Sequence, residues 1–240
     1  MSYDLCLTTL MKDISKLQKI IKVKFKNEKL IQQALVHRSY LNENPNFELN
    51  HNERLEFLGD AVLELVVTDH LYSNYENPEG ELTNWRAALV NATSLAATAR
   101  ELNIEEFLYL SKGESKDKNI KARNYILANA MEAIIGAVYL DQGYKAAEKF
   151  IEKFILSKLP DILKHKLYMD AKTTFQESAQ DKAGVTPTYK VLSEEGPDHN
   201  KTFLIGIYLE DEEIAQGTGT SKQEAETDAA KNALREKGWK

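Results

Sequence analysis

The sequence predicts an all-α unit followed by a small α+β unit of order α-β-β-β-α, and three observations carry that prediction. From residue 12 to about 157, apolar residues recur three and four apart, the period of helices that bury one face. After residue 170 the rhythm changes to short runs rich in Thr, Tyr, Val, Ile and Phe, the composition of strands. Between the two, Leu159-Pro160-Asp161 and the basic Lys164-His165-Lys166 interrupt both patterns. The expected organisation is a helical domain over residues 1–157, a linker over 158–169 and a second domain over 170–240.

Taken in order, the helical period covers 13–22, 28–37, 52–75, 81–102, 122–140 and 143–157. The breaks fall on turn chemistry: Asn44-Pro45-Asn46, Asn77-Pro78-Glu79-Gly80, Lys112-Gly113 with the charged run through Arg123, and Gln142-Gly143. In the second part an amphipathic segment, AKTTFQESAQDKAG, ends at Gly184. Strands are expected over 188–192 and 202–209, with a weaker one over 213–220. Glu195-Gly196-Pro197-Asp198-His199 and Glu210-Asp211-Glu212 are the connecting turns. The last helix opens at Ser221, where Ser221 and Glu224 have the spacing of a capping box, and Ala225, Ala229, Ala233 and Leu234 form its apolar stripe.

Composition narrows the function classes. At 240 residues, 42% hydrophobic and 28% charged, the chain has the make-up of an ordinary soluble globular protein with room for two cores. The single cysteine, Cys6, excludes an intramolecular disulfide framework and a Cys-rich zinc site, which fits a reducing compartment. No run approaches the ~18 apolar residues of a membrane span. The opening MSYDLCLTTLMKD, with Asp4 and Asp13 around a short apolar patch, is a poor signal peptide, so a cytoplasmic location is expected. A net charge of −6 argues against a nucleic-acid partner, whose binders are usually basic. Gly217-Thr218-Gly219-Thr220 lacks P-loop spacing, and His37, His51, His70, His165 and His199 show no zinc-like pairing.

The stretch HNERLEFLGDAVLELVV, residues 51–67, holds the chemistry. At ~100° per residue, Glu53, Glu56, Asp60 and Glu64 fall within roughly 80° of one another. Leu55, Phe57, Leu58, Ala61, Val62, Leu65 and Val66 occupy most of the rest of the helix. An unpaired buried carboxylate costs several kcal/mol, so an acidic face on an apolar helix calls for a cation. A second apolar helix supplies Asn129 and Glu132 one turn apart. Oxygen ligands without histidine or thiol suit Mg²⁺ or Mn²⁺, ions used in phosphoryl chemistry. The alternative from spacing alone is that these acids pair with Arg54, Arg86, Arg123 or nearby lysines on a solvated face.

HNERLEFLGDAVLELVV resembles, almost letter for letter, the catalytic motif of bacterial ribonuclease III, the endonuclease specific for double-stranded RNA. EGELTNWRAALVNATSLA (79–96) is similar to that family's middle helices, and ILANAMEAIIGAVYLDQG (126–143) to its second acidic helix. The α-β-β-β-α tail resembles its double-stranded-RNA-binding domain, so the likeness runs from about residue 13 to 237. The resemblance implies a Mg²⁺ site, with Mn²⁺ able to substitute, formed by Glu56, Asp60, Asn129 and Glu132, in which Asp60 and Glu132 are the critical catalytic residues. It implies that Glu53 and Glu79 face RNA, Glu79 from across a subunit interface. Phe57 and Gly59 are assigned to dimer contacts, Phe57 as an aromatic inserted into the partner and Gly59 as a point of close helix approach. It further implies a homodimer with two sites across one duplex, each hydrolysing one strand to leave a 5′-phosphate and a 3′-hydroxyl, in the processing of structured RNA such as rRNA precursors. No small-molecule cofactor and no membrane partner are implied.

Two departures stand out. Asn129 occupies a position where the family usually has Asp; it keeps a carbonyl oxygen but loses a unit charge. That charge is worth about 4 kcal/mol at ~4 Å and an effective dielectric of ~20, before desolvation offsets much of it. The expectation is weakened metal binding, hence a need for raised Mg²⁺ or a preference for Mn²⁺. The alternative is a double-stranded-RNA-binding protein whose catalytic site Asn129 impairs, and a third reading is a purely structural helical dimer.

The second departure is charge, since residues 168–240 hold nine Lys+Arg against fourteen Asp+Glu. The positions that would meet A-form RNA are Thr173, Gln176 and Glu177 in the first helix, His199 and Lys201 by the first strand turn, and Ser221 and Lys222 at the last helix. Relatives usually carry two adjacent basic residues where this chain has Lys222-Gln223, so weaker and less salt-dependent RNA binding is expected.

Overall fold

The protein is described here by a computed structural model covering residues 12–197 and 201–239. Cys6 and His199 lie outside the described residues. The chain divides into two compact units that meet between His165 and Lys166.

The first unit is helical. It contains α1 (Ser15–Ile21), α2 (Glu28–Ala34), α3 (Arg38–Glu43), α4 (Glu53–Asn74), α5 (Glu79–Val90) and α6 (Ala92–Glu101). A 3-10 turn (Ile104–Phe107), α7 (Lys112–Lys116), α8 (Ile120–Gln142), α9 (Tyr144–Phe154), a second 3-10 turn (Leu156–Lys158) and α10 (Leu159–Lys164) complete it. Helix α8 is the central element: Ala128, Ala130, Met131, Ala133 to Val138 and Leu127 are buried, and α2, α4, α6 and α9 all pack on it. That is why its sequence is apolar on nearly every side.

Local chemistry sets the helix ends. The Asn27, Asn119 and Ser111 side chains accept from the backbone N–H groups of Lys29, Ala122 and Glu114, capping α2, α8 and α7. Gly143, at φ +81°, stops α8 in a conformation that a side chain would oppose. The Asp141 carboxylate accepts from Lys26 and Asn27 N–H, both at 2.8 Å, and ties the end of α8 to the start of α2.

Four expectations change. The continuous helix over 81–102 is two helices, because Asn91 turns to β geometry and its side chain accepts from Ser94 N–H at 2.9 Å, starting a new helix. The charged break before 122 contains α7 and the first residues of α8, and α3 fills part of the gap after 37. The linker expected over 158–169 starts later. Pro160 is accommodated in the first turn of α10, whose Leu159 and Ile162 are buried in the first unit.

The second unit is α11 (Ala171–Ala183), β1 (Thr188–Glu195), β2 (Thr202–Leu209), β3 (Glu212–Gly219) and α12 (Lys222–Lys237). The strands form an antiparallel sheet in the order β1-β2-β3, with register shifts at Val191/Ser193 and Ile207/Tyr208. Phe175 and Ala179 of α11, Ile207, Leu209 and Ile214 of the sheet, and Ala229, Ala230 and Ala233 of α12 make its core. Trp239 stacks on Phe175 with ring centroids 5.3 Å apart. Of the capping box, Ser221 Oγ accepts from Glu224 N–H at 3.2 Å. The Glu224 carboxylate accepts from Thr220 N–H at 3.1 Å.

Candidate functional site

The site begins at a helix crossing. A Cβ built on Gly59 of α4 would lie 1.8 Å from the Glu132 carbonyl oxygen of α8, and one on Gly136 would lie 2.3 Å from the Leu55 oxygen. Only two glycines allow the backbones this close. The contact brings Glu56 and Asp60, on either side of Gly59, against the turn of α8 that carries Asn129 and Glu132. Gly59 is buried, and its close helix approach is to α8 of the same chain.

The start of α4 is positioned separately. Asn52, 4% exposed, donates from its backbone N–H to Val36 O at 2.9 Å and from its carboxamide to Ala34 O at 3.2 Å. These bonds anchor the turn that presents Glu53 and Glu56. Sequence reasoning passed over Asn52, whose only signal was a polar residue just ahead of an apolar helix.

The acids divide into two kinds. Glu64 pairs with Arg86 of α5, Nε to Oε2 at 3.0 Å, while Arg86 Nη1 donates to Thr68. Glu53 lies 3.5 Å from Arg38 Nη1 and 3.7 Å from His51 Nδ1. Glu64 thus meets one of the expected arginines, Arg86, whereas Glu53 meets Arg38 and His51 instead. Arg123 instead binds Glu105 and the Glu114 carbonyl oxygen, remote in sequence from the acidic helix.

Among the described residues Glu56, Asp60 and Glu132 have no ion-pair partner, and no hydrogen-bond partner is found for the Asp60 and Glu132 carboxylates. Burial, then the nearby Asp60, Glu56 and Glu64, push the half-buried Glu132 carboxyl up to about 8. Burial, then Glu53, also raise Glu56, against a hydrogen bond from Asn129 that favours its ionised form. Three carboxylates thus repel one another across the crossing, and Asn129 relieves one of them. Among the described residues no group of three or more His, Cys, Asp or Glu side chains is gathered in a form that could hold a metal ion. The donor chemistry, oxygen atoms only and two carboxylates without partners, fits a hard divalent cation.

Glu79 is exposed in the first turn of α5, accepts from Thr83 Oγ1 at 3.1 Å and is not among the charges acting on Glu56 or Glu132. Phe57 is 81% exposed on the face of α4 that also carries Leu65 and Tyr72. It borders a groove lined by Leu30, Gln33, Leu58 and Leu140.

In the second unit, Thr173 is half-buried and Gln176 and Glu177 are exposed on α11. Ser221 and Lys222 are exposed at the start of α12, and Lys201 precedes β2. Both lysines pair with Glu194 of β1.

Two family models match this chain. Residues 27–159 match the ribonuclease-III-like family, and residues 171–237 match the double-stranded RNA binding motif.

The chain belongs to the ribonuclease III family.

Among curated relatives, "Ribonuclease 3" of Pelotomaculum thermopropionicum is 46% identical over 213 residues, covering 88% of each chain. That of Dehalococcoides mccartyi is 41% identical over 228 residues, covering 94% of this chain and 95% of the relative. The solved nuclease domain of ribonuclease III from Campylobacter jejuni is 39% identical, covers 62% of this chain and 98% of its own, and superposes with a TM-score of 0.54. As a ribonuclease III-type endoribonuclease, the chain joins a helical nuclease domain to a double-stranded-RNA-binding domain. Among the described residues no helix is long and apolar enough to cross a membrane.

Proposed function

We propose that the chain hydrolyses double-stranded RNA in a divalent-metal-dependent reaction, in the cytoplasm, leaving 5′-phosphate and 3′-hydroxyl ends on structured RNA such as rRNA precursors. The observation that carries this is the mutual repulsion of Glu56, Asp60 and Glu132, without an ion-pair partner among the described residues, beside the Gly59/Gly136 crossing of a ribonuclease III chain. Glu56, Asp60, Glu132 and the Asn129 carbonyl oxygen would hold Mg²⁺ or Mn²⁺. When bound, the ion activates a water and offsets charge on the phosphate. Asn129, by donating to Glu56, would orient that carboxylate and partly offset the burial and Glu53 repulsion that raise it. Glu132 sits where burial and three like charges, Asp60, Glu56 and Glu64, give it the strongest demand for a cation.

In this reading the enzyme is a homodimer. Phe57 of one subunit enters the partner, which its 81% exposure supports, and Glu79, which is not among the charges acting on Glu132, reaches RNA across the interface. Glu53 faces the cleft. Thr173, Gln176, Glu177, His199, Lys201, Ser221 and Lys222 meet the duplex in its backbone and 2′-hydroxyls.

One observation favours a second reading. Asn129 is engaged as a hydrogen-bond donor to Glu56 and brings no negative charge to the site, which suits an RNA binder with an impaired catalytic site. Cleavage of an end-labelled duplex against Mg²⁺ and Mn²⁺ concentration separates the two, comparing this chain with Asn129→Asp and Glu132→Ala. Under the first reading this chain cuts, Asn129→Asp lowers the Mg²⁺ needed by about tenfold, and Glu132→Ala abolishes cutting. Cutting by the Asp variant alone supports the second reading. Binding without cutting by both this chain and Asn129→Asp removes residue 129 from the site.

A further inference from the structure

Lys201 and Lys222, the two lysines assigned to RNA phosphates, share one carboxylate. Glu194 Oε1 lies 3.2 Å from Lys222 Nζ, and Oε2 lies 3.4 Å from Lys201 Nζ. The bridge joins three elements: Glu194 is on β1, Lys201 leads into β2 and Lys222 opens α12. Backbone pairing fixes it, because Glu194 is opposite Phe203 in the β1–β2 ladder, and the Lys222 ammonium also sits over the Phe203 ring at 5.6 Å. Hydrogen bonds from Lys222 and then Lys201 hold the Glu194 carboxyl below the usual glutamate range. A glutamate held below its ordinary range is ionised at neutral pH, where both lysines are charged.

Exposed ion pairs contribute little to folding, so this bridge is a poor candidate for a stabilising device. Its larger effect is on the field that a ligand meets. A phosphodiester approaching the start of α12 finds both ammonium groups already facing an anion. A lysine neutralised in the free protein also releases fewer counterions when it meets the backbone.

We propose that Glu194 is a built-in competitor of the RNA backbone: its carboxylate occupies Lys201 and Lys222 in the free protein and is displaced by a phosphate when duplex binds. The affinity of the second unit and its salt dependence are then set by this residue as well as by the absence of a second cation beside Lys222. The proposal rests on the reading of unit two as the duplex-binding part, and deepens it.

The test uses the full chain in EDTA, so that strands stay intact, with a labelled RNA duplex longer than the ~16 base pairs such a domain spans. Affinity is measured against salt for this chain, Glu194→Gln, Lys201→Ala/Lys222→Ala, and the triple variant. Glu194→Gln should bind about 3- to 10-fold more tightly at low salt, with a slope of log affinity on log salt steeper by about one. The gain should vanish in the double-lysine background. Unchanged or weaker binding by Glu194→Gln overturns the proposal, since the carboxylate would then hold the lysines in place. A gain that persists without the lysines also overturns it, as a long-range charge effect. If neither this chain nor Glu194→Gln binds duplex, the RNA reading of the second unit fails and the proposal fails with it.

Discussion

In metal-free buffer the Glu132 carboxyl is pushed up to about 8 in the folded chain, against an ordinary glutamate value once unfolded. Between those values the folded state holds a proton that the unfolded state has lost. Its contribution to stability is therefore fully present below the unfolded value and disappears as pH rises through about 8. In EDTA, Glu132→Gln should flatten the fall in melting temperature between pH 6 and 9 and stabilise the chain at the upper end by on the order of 1 kcal/mol, reduced by solvent screening. Melting scans at fixed ionic strength check this, and a fall that persists in the Gln variant would place its source elsewhere. Added Mg²⁺ should raise the melting temperature of this chain and not of Glu132→Gln. The types and spacing of Glu56, Asp60, Asn129 and Glu132 were legible in the sequence. The division of the acidic face was not, because the Arg86 that takes Glu64 comes from a helix whose position depends on packing.

At the scale of elements, the crossing of α4 and α8 decides whether the acids meet at all. A methyl group at Gly59 would overlap the Glu132 carbonyl, which cannot turn aside without breaking α8. Gly59→Ala should cost about 3 kcal/mol or more, the top of the range for overpacking, and cleavage should fall with it. Denaturant unfolding and duplex cleavage measure the two effects. Asn52→Ala removes the carboxamide bond to Ala34 O and should cost about 1–2 kcal/mol, with cleavage reduced by loss of the anchored α4 start. Helix periods announced α4 and α8 correctly. They could not announce the break at Asn91 or helix α10, since a cap and a buried Leu159 outweigh the local pattern only in the folded context.

For the whole molecule, the exposed face of α4 is the feature that one chain leaves open. Phe57 at 81%, Tyr72 at 80% and Leu65 at 58% exposure lie on a helix whose other side is buried in the core. Phe57→Asp should leave the fold of each unit intact, shown by an unchanged circular dichroism spectrum, and shift the chain from dimer to monomer in light scattering. A variant that still dimerises would remove Phe57 from the interface. The sequence by itself determined the two-part architecture, the helical and strand periods, and the spacing of the acidic residues, because each is written in residue type and local spacing. Only the tertiary structure decided which acids are left without cations, that Gly59 joins two helices of one chain, and that Glu194 lies between Lys201 and Lys222. Those outcomes join residues far apart in the chain. Distances of a few ångströms across packed elements set their electrostatics, and no local pattern encodes such distances.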